Sequence, residues 1–175
     1  MFLWDSTRWK KFYDDKEVRT GLRMRFDKGI SPEVKWPCHM FCEWVRDNYD
    51  FPIRLPIYFK ASKQVKAPDG TLVSGKCFLP ADRMEEPHIS IATGDFEQVK
   101  ASSSVENAIF AQLCSIAHEI TYYYQWINDL ELSEKRAERQ AIQIGESMVN
   151  QYLRSLGMSC MLDIHEQWET DEEDD

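Results

Sequence analysis

Two long amphipathic stretches in the C-terminal half constrain this chain more than any other feature. From Val105 the apolar positions run Val105, Ile109, Leu113, Ile116, Ile120, Tyr123 or Tyr124, and Ile127. Steps of three and four place them along one side of a helix. Ser133 then caps a second stretch with Glu134 in its first turn, and Ala137, Ala141, Ile144, Met148, Tyr152 and Leu156 form its stripe before Gly157 stops it. The link between them, Asn128 to Leu132, is short, so the two helices are expected to fold as an antiparallel hairpin.

Ahead of the hairpin the period changes from helical to extended. Ile53 to Phe59 reads as a strand, and Pro56 within it suggests an edge or a start. Ala67-Pro68-Asp69-Gly70 is turn chemistry, Leu72 to Leu79 reads as a partner strand, and His88-Ile89-Ser90-Ile91-Ala92 alternates as a third. Further upstream, Ser31-Pro32-Glu33 starts a helix with a serine cap, proline at the first position and an acid in the first turn. Val34, Phe41, Trp44 and Val45 supply its buried face, Pro37 delays or kinks it, and Asn48 to Pro52 ends it. The first thirty residues mix Trp4, Trp9, Phe12, Tyr13, Leu22, Met24 and Phe26 with many charges and read as one or two short helices packed on the body. The expected fold is therefore α+β: a small, mostly antiparallel sheet packed on two long C-terminal helices, with helices added at the N-terminus.

A chain of 175 residues suits one domain, here residues 1–162 with 1–30 as a helical extension. The remainder, 163–175, holds eight acids (Asp163, Glu166, Glu169 and Asp171 to Asp175) and no Lys or Arg. It reads as a solvated, disordered tail. The formal net charge is −9, and without those eight acids it is −1, so no basic nucleic-acid footprint is evident. Five cysteines (Cys38, Cys42, Cys77, Cys114 and Cys160) lack the spacing of a disulfide scaffold and read as reduced thiols. The start, Met1-Phe2-Leu3-Trp4-Asp5, meets charge too early for a secretory signal, and no apolar run approaches the ~20 residues of a membrane helix. A cytoplasmic location without a membrane partner is expected.

The chemistry concentrates on the first hairpin helix, in His118-Glu119-Ile120-Thr121-Tyr122. This approaches His-Glu-x-x-His, in which two histidines one turn apart grip a zinc and the glutamate activates its water. Here Tyr122 occupies the second histidine's position. Carrying the hairpin past its turn places Glu138 roughly level with Tyr122 and a little over one turn from His118.

The aromatic run His118 to Trp126, the segment Ala137-Glu138-Arg139-Gln140-Ala141 and the preceding strand together resemble the zincin clan of zinc peptidases. The likeness is greatest to its gluzincin branch and to small bacterial and phage-type domains of that kind. It covers the order of elements from Ile53 to Leu156 and is specific in the two helical motifs. By that resemblance His118 and Glu138 are zinc ligands, Glu119 is the general base, and His88 to Ala92 is the substrate-lining edge strand. Glu134 and Glu131 are alternatives to Glu138, which otherwise reads as a surface acid beside Arg139 and Lys135. The resemblance implies hydrolysis of peptide bonds, with a peptide or protein bound in a cleft.

Tyr122 leaves three readings open. The site is degenerate, or Tyr122 or a displaced histidine completes it, or a single-base change has altered an otherwise active enzyme. A phenol with an ordinary pKa of about 10 must first lose its proton to bind zinc. A non-catalytic module capturing an extended peptide is the alternative function, and a tail binding a basic partner is another. Cys38-His39-x-x-Cys42 reads as a buried pair, because no second ligand pair accompanies it. His88 reads as a strand-edge residue and His165 as part of the tail.

Overall fold

The computed structural model describes residues 3–5, 9, 19–82, 85–131 and 133–158. The segment 163–175, with His165 in it, and Cys160 lie outside the described residues.

The first regular element among the described residues is a strand, β1 (Leu22–Phe26), where a helix was expected. Its alternation explains this. Leu22, Met24 and Phe26 face the core while Arg23 and Arg25 face out, and that period of two fits only a strand. Helix α1 (Pro32–Asn48) follows, with Ser31 Oγ accepting from the Glu33 N–H at 3.3 Å. Pro37 sits inside it without ending it. Val34, Cys38, Phe41, Cys42 and Val45 form its buried stripe, which gives both thiols a core role.

Strands β2 (Leu55–Lys60), β5 (Gly75–Phe78) and β6 (His88–Ala92) join β1 in a four-stranded sheet of order β1-β2-β6-β5. The sheet is mixed, not mostly antiparallel. β1 runs parallel to β2 and β2 parallel to β6; β5 alone runs against its neighbour. Parallel neighbours need a long crossover, and α1 supplies the one between β1 and β2. The short strands β3 (Val65–Lys66) and β4 (Leu72–Val73) form a separate antiparallel ribbon. It closes at the turn read from the sequence, with the Gly70 N–H bonded to the Ala67 carbonyl and Gly70 at φ +90°.

The regular elements that follow among the described residues are helices: α2 (Phe96–Ser102), α3 (Val105–Ile127) and α4 (Glu134–Ser155). Leu22, Leu55, Ile57, Phe59, Ile89 and Ile91 are fully buried on the sheet face that meets the helices. α3 is buried on most of its sides, polar Gln112, Glu119, Thr121 and Gln125 included, because α4, the sheet and α1 all pack on it. Tyr123 pins it to the chain before β2: its hydroxyl donates to the Ile53 carbonyl at 2.6 Å and accepts from the Ile53 N–H at 3.1 Å. At the hairpin's closed end Asn128 binds both Trp9 Nε1 and the Leu3 carbonyl, docking part of the N-terminal segment there. Gly145 sets the spacing of the two long helices, since a Cβ on it would stand 3.1 Å from the His118 backbone nitrogen. Among the described residues no helix is long and apolar enough to cross a membrane.

Candidate active-site cleft

The hairpin brings His118, Glu119, Tyr122 and Glu138 to one cleft of about 850 Å³ between β5, α3 and α4. Register between the helices is held by Gln125, whose side-chain amide donates to the Ala137 carbonyl and to Gln140 Oε1, both at 3.0 Å. One turn earlier on α3, Tyr122 then meets Glu138 on α4. The Tyr122 hydroxyl donates to Glu138 Oε2. That same oxygen lies 3.5 Å from His118 Nε2, and the His118 and Tyr122 rings meet edge to face at 5.1 Å.

Glu119 faces the sheet. It is 7% exposed, and Gly75 of β5 makes room for it, since a Cβ there would approach Glu119 Oε1 to 3.2 Å. The Cys77 N–H donates to its carboxyl group, which partly offsets burial. Burial first and Glu138 second push the Glu119 carboxyl from an ordinary 4.5 to about 8. Its charged form is costly in this environment, so at neutral pH it is mostly protonated. Burial lowers the His118 pKa against the pull of Glu138, so the contact with Glu138 joins a mostly neutral imidazole to the carboxyl group. Tyr122 is pushed above the ordinary phenol value by burial and then by its bond to Glu138.

The strand bordering the cleft is β5. β6, expected as the edge, lies inside the sheet between β2 and β5. The two strands were not separable by pattern, because Gly75-Lys76-Cys77-Phe78 carries little apolar alternation. His88 turns to the opposite sheet face, between Phe78 and Tyr58. Glu134 also lines the cleft, whereas Glu131 is exposed and does not. Sequence reasoning missed Gly75 and the Cys77 N–H; a glycine starting a strand opposite the Glu119 helix is the one signal that could have found them.

A zinc ion at 2.0–2.1 Å from tetrahedral ligands holds them roughly 3.3 Å apart. His118 Nε2 and Glu138 Oε2, at 3.5 Å, fit such a pair. Tyr122 does not fit as the third, because its proton is engaged with Glu138 and its pKa is raised. Among the described residues no three His, Cys, Asp or Glu side chains form a group that could hold a metal ion. The donor set falls one ligand short of a three-ligand centre, and no chemical step through zinc follows from it. No protein family, curated protein or solved structure matches this chain.

Proposed function

We propose that this chain is a zincin-like protein whose cleft captures an extended peptide, and whose metal position has been converted by Tyr122 into a hydrogen-bonded array with Glu138 and His118. The observation that carries this reading is the Tyr122–Glu138 bond at the position where the His-Glu-x-x-His pattern needs a second histidine. With Glu138 so engaged and Glu119 held mostly protonated, neither carboxyl group is free for the role that the resemblance assigns it. Peptide capture is supported by β5. It pairs with β6 on one side and borders the cleft on the other, and an exposed strand edge binds an extended chain through main-chain hydrogen bonds.

The peptidase reading has one observation in its favour, the 3.5 Å spacing of His118 Nε2 and Glu138 Oε2. The two are separated by incubating the full chain with fluorescein-labelled casein peptides, in zinc and in EDTA. The expected result is an anisotropy rise of equal midpoint in both conditions, with the peptides intact by mass spectrometry. Zinc-dependent cleavage would sink the reading.

A further inference from the structure

The charges of this chain are segregated in a way that its net charge hides. On the sheet face away from the helices, β1 presents Arg23 and Arg25, β2 presents Tyr58 and Lys60, and the paired ends of β6 and β5 present His88, Phe78 and Lys76, whose ammonium donates to the Lys66 carbonyl at the border with the cleft. Their contacts confirm a common face. Phe78 stacks on His88 at 5.0 Å, Tyr58 meets His88 at 5.9 Å, and the Lys60 ammonium lies 5.7 Å from the Tyr58 ring centre. Arg23 and Arg25 are exposed, and Phe78 is 45% exposed. Asp27 pairs with Lys60, and Glu86 pairs with Arg19 and Arg54. Four cations, Arg23, Arg25, Lys60 and Lys76, thus stand on these strands with one acid, Asp27, paired to them, in a chain whose formal charge is −9.

We propose that this basic, aromatic sheet face is the docking site of the chain's own acidic segment, 163–175. Charge complementarity is the first argument. The segment carries eight acids and no Lys or Arg, and its Trp168 is a ring that can stack against Phe78 and His88. Reach is the second. The acids of Asp171 to Asp175 lie 13 to 17 residues beyond Met158. At up to ~3.3 Å per residue that is roughly 43–56 Å, enough to carry the segment over a large part of the surface of a body ~40 Å wide. Tethering is the third. Covalent attachment through a short link holds the segment at an effective concentration on the order of millimolar, so it outcompetes a free partner of similar chemistry.

A zero-length carbodiimide cross-link tests this in the full chain, because it joins a lysine amine to a carboxylate only when the two are in contact. In dilute monomer at 10 mM NaCl, Lys60 and Lys76 should link to acids of 163–175. The yield should fall at least tenfold at 1 M NaCl, where screening shortens from about 30 Å to about 3 Å. Arg25→Glu should cut the yield at Lys60 several-fold, and as an exposed strand residue it leaves the fold intact. Tail links spread equally over Lys35 on α1 and Lys135 on α4, or absent from Lys60 and Lys76, would overturn the proposal. Binding of an oligothymidylate 12-mer by the full chain at 150 mM salt would overturn it too, since nucleic acid would then occupy the face.

Discussion

Glu119→Gln is the substitution whose effect on stability follows most directly from the cleft. The side chain is 7% exposed, accepts from the Cys77 N–H, and has its pKa raised from 4.5 to about 8. A group whose folded pKa is raised binds its proton more tightly when folded. Its contribution is therefore complete below 4.5 and is lost as pH rises through about 8. At about 1.4 kcal/mol per pH unit, the raised Glu119 pKa lowers stability by about 3 kcal/mol at pH 7, where the unfolded carboxyl is ionised and the folded one still holds its proton, and by about 5 kcal/mol above pH 8. Glutamine keeps the shape and an oxygen for the Cys77 N–H but has no charge to bury. Urea unfolding of both proteins in EDTA, at steps from pH 4.5 to pH 9, isolates this effect because Glu119 is the one titrating group that the substitution removes. The variant should match the wild type near pH 4.5 and gain on it with rising pH, levelling off above pH 8. A stability difference that stays constant across that range would refute the reasoning.

Two further substitutions probe the frame that holds the cleft. Tyr123→Phe should cost about 2–4 kcal/mol in urea unfolding, because it strips both partners from the buried Ile53 N–H and carbonyl. Gly145→Val places carbon atoms where even a Cβ would meet the His118 backbone at 3.1 Å. It should cost about 2 kcal/mol or more and, by prying α4 from α3, release the Tyr122 hydroxyl from Glu138. A fall in the Tyr122 pKa, read by ultraviolet titration of the difference between Gly145→Val and its Tyr122→Phe double variant, checks the second effect.

Much of this architecture was legible because helical periodicity survives burial. The α3 stripe, the α4 stripe apart from Leu156, which is exposed, the Ser133 start and the Gly157 stop were readable, and so was the approach of Glu138 to His118 and Tyr122, since a short hairpin fixes which residues lie level. The run His88 to Ala92 was readable as a strand for the same reason, its alternation being intact. What failed was long-range. Strand direction depends on which strands become neighbours, and nothing in Leu55–Lys60 or Gly75–Phe78 alone states that β6 lies between them. Leu22-Arg23-Met24-Arg25-Phe26 did carry a period of two, but the surrounding charges masked it, since its arginines belong to an outer face that needs them. The net charge gave no hint of that face, because a sum over the chain erases segregation.

Zinc titration of the metal-stripped wild type beside Tyr122→His tests the proposed conversion of the metal position most directly. If Tyr122 replaces a ligand while His118 and Glu138 keep their places, the histidine variant should bind one zinc at least about 100-fold more tightly than the wild type. Its added His118→Ala should abolish the gain. A wild type that binds one zinc as tightly as Tyr122→His, or a variant that gains no affinity, would contradict the account.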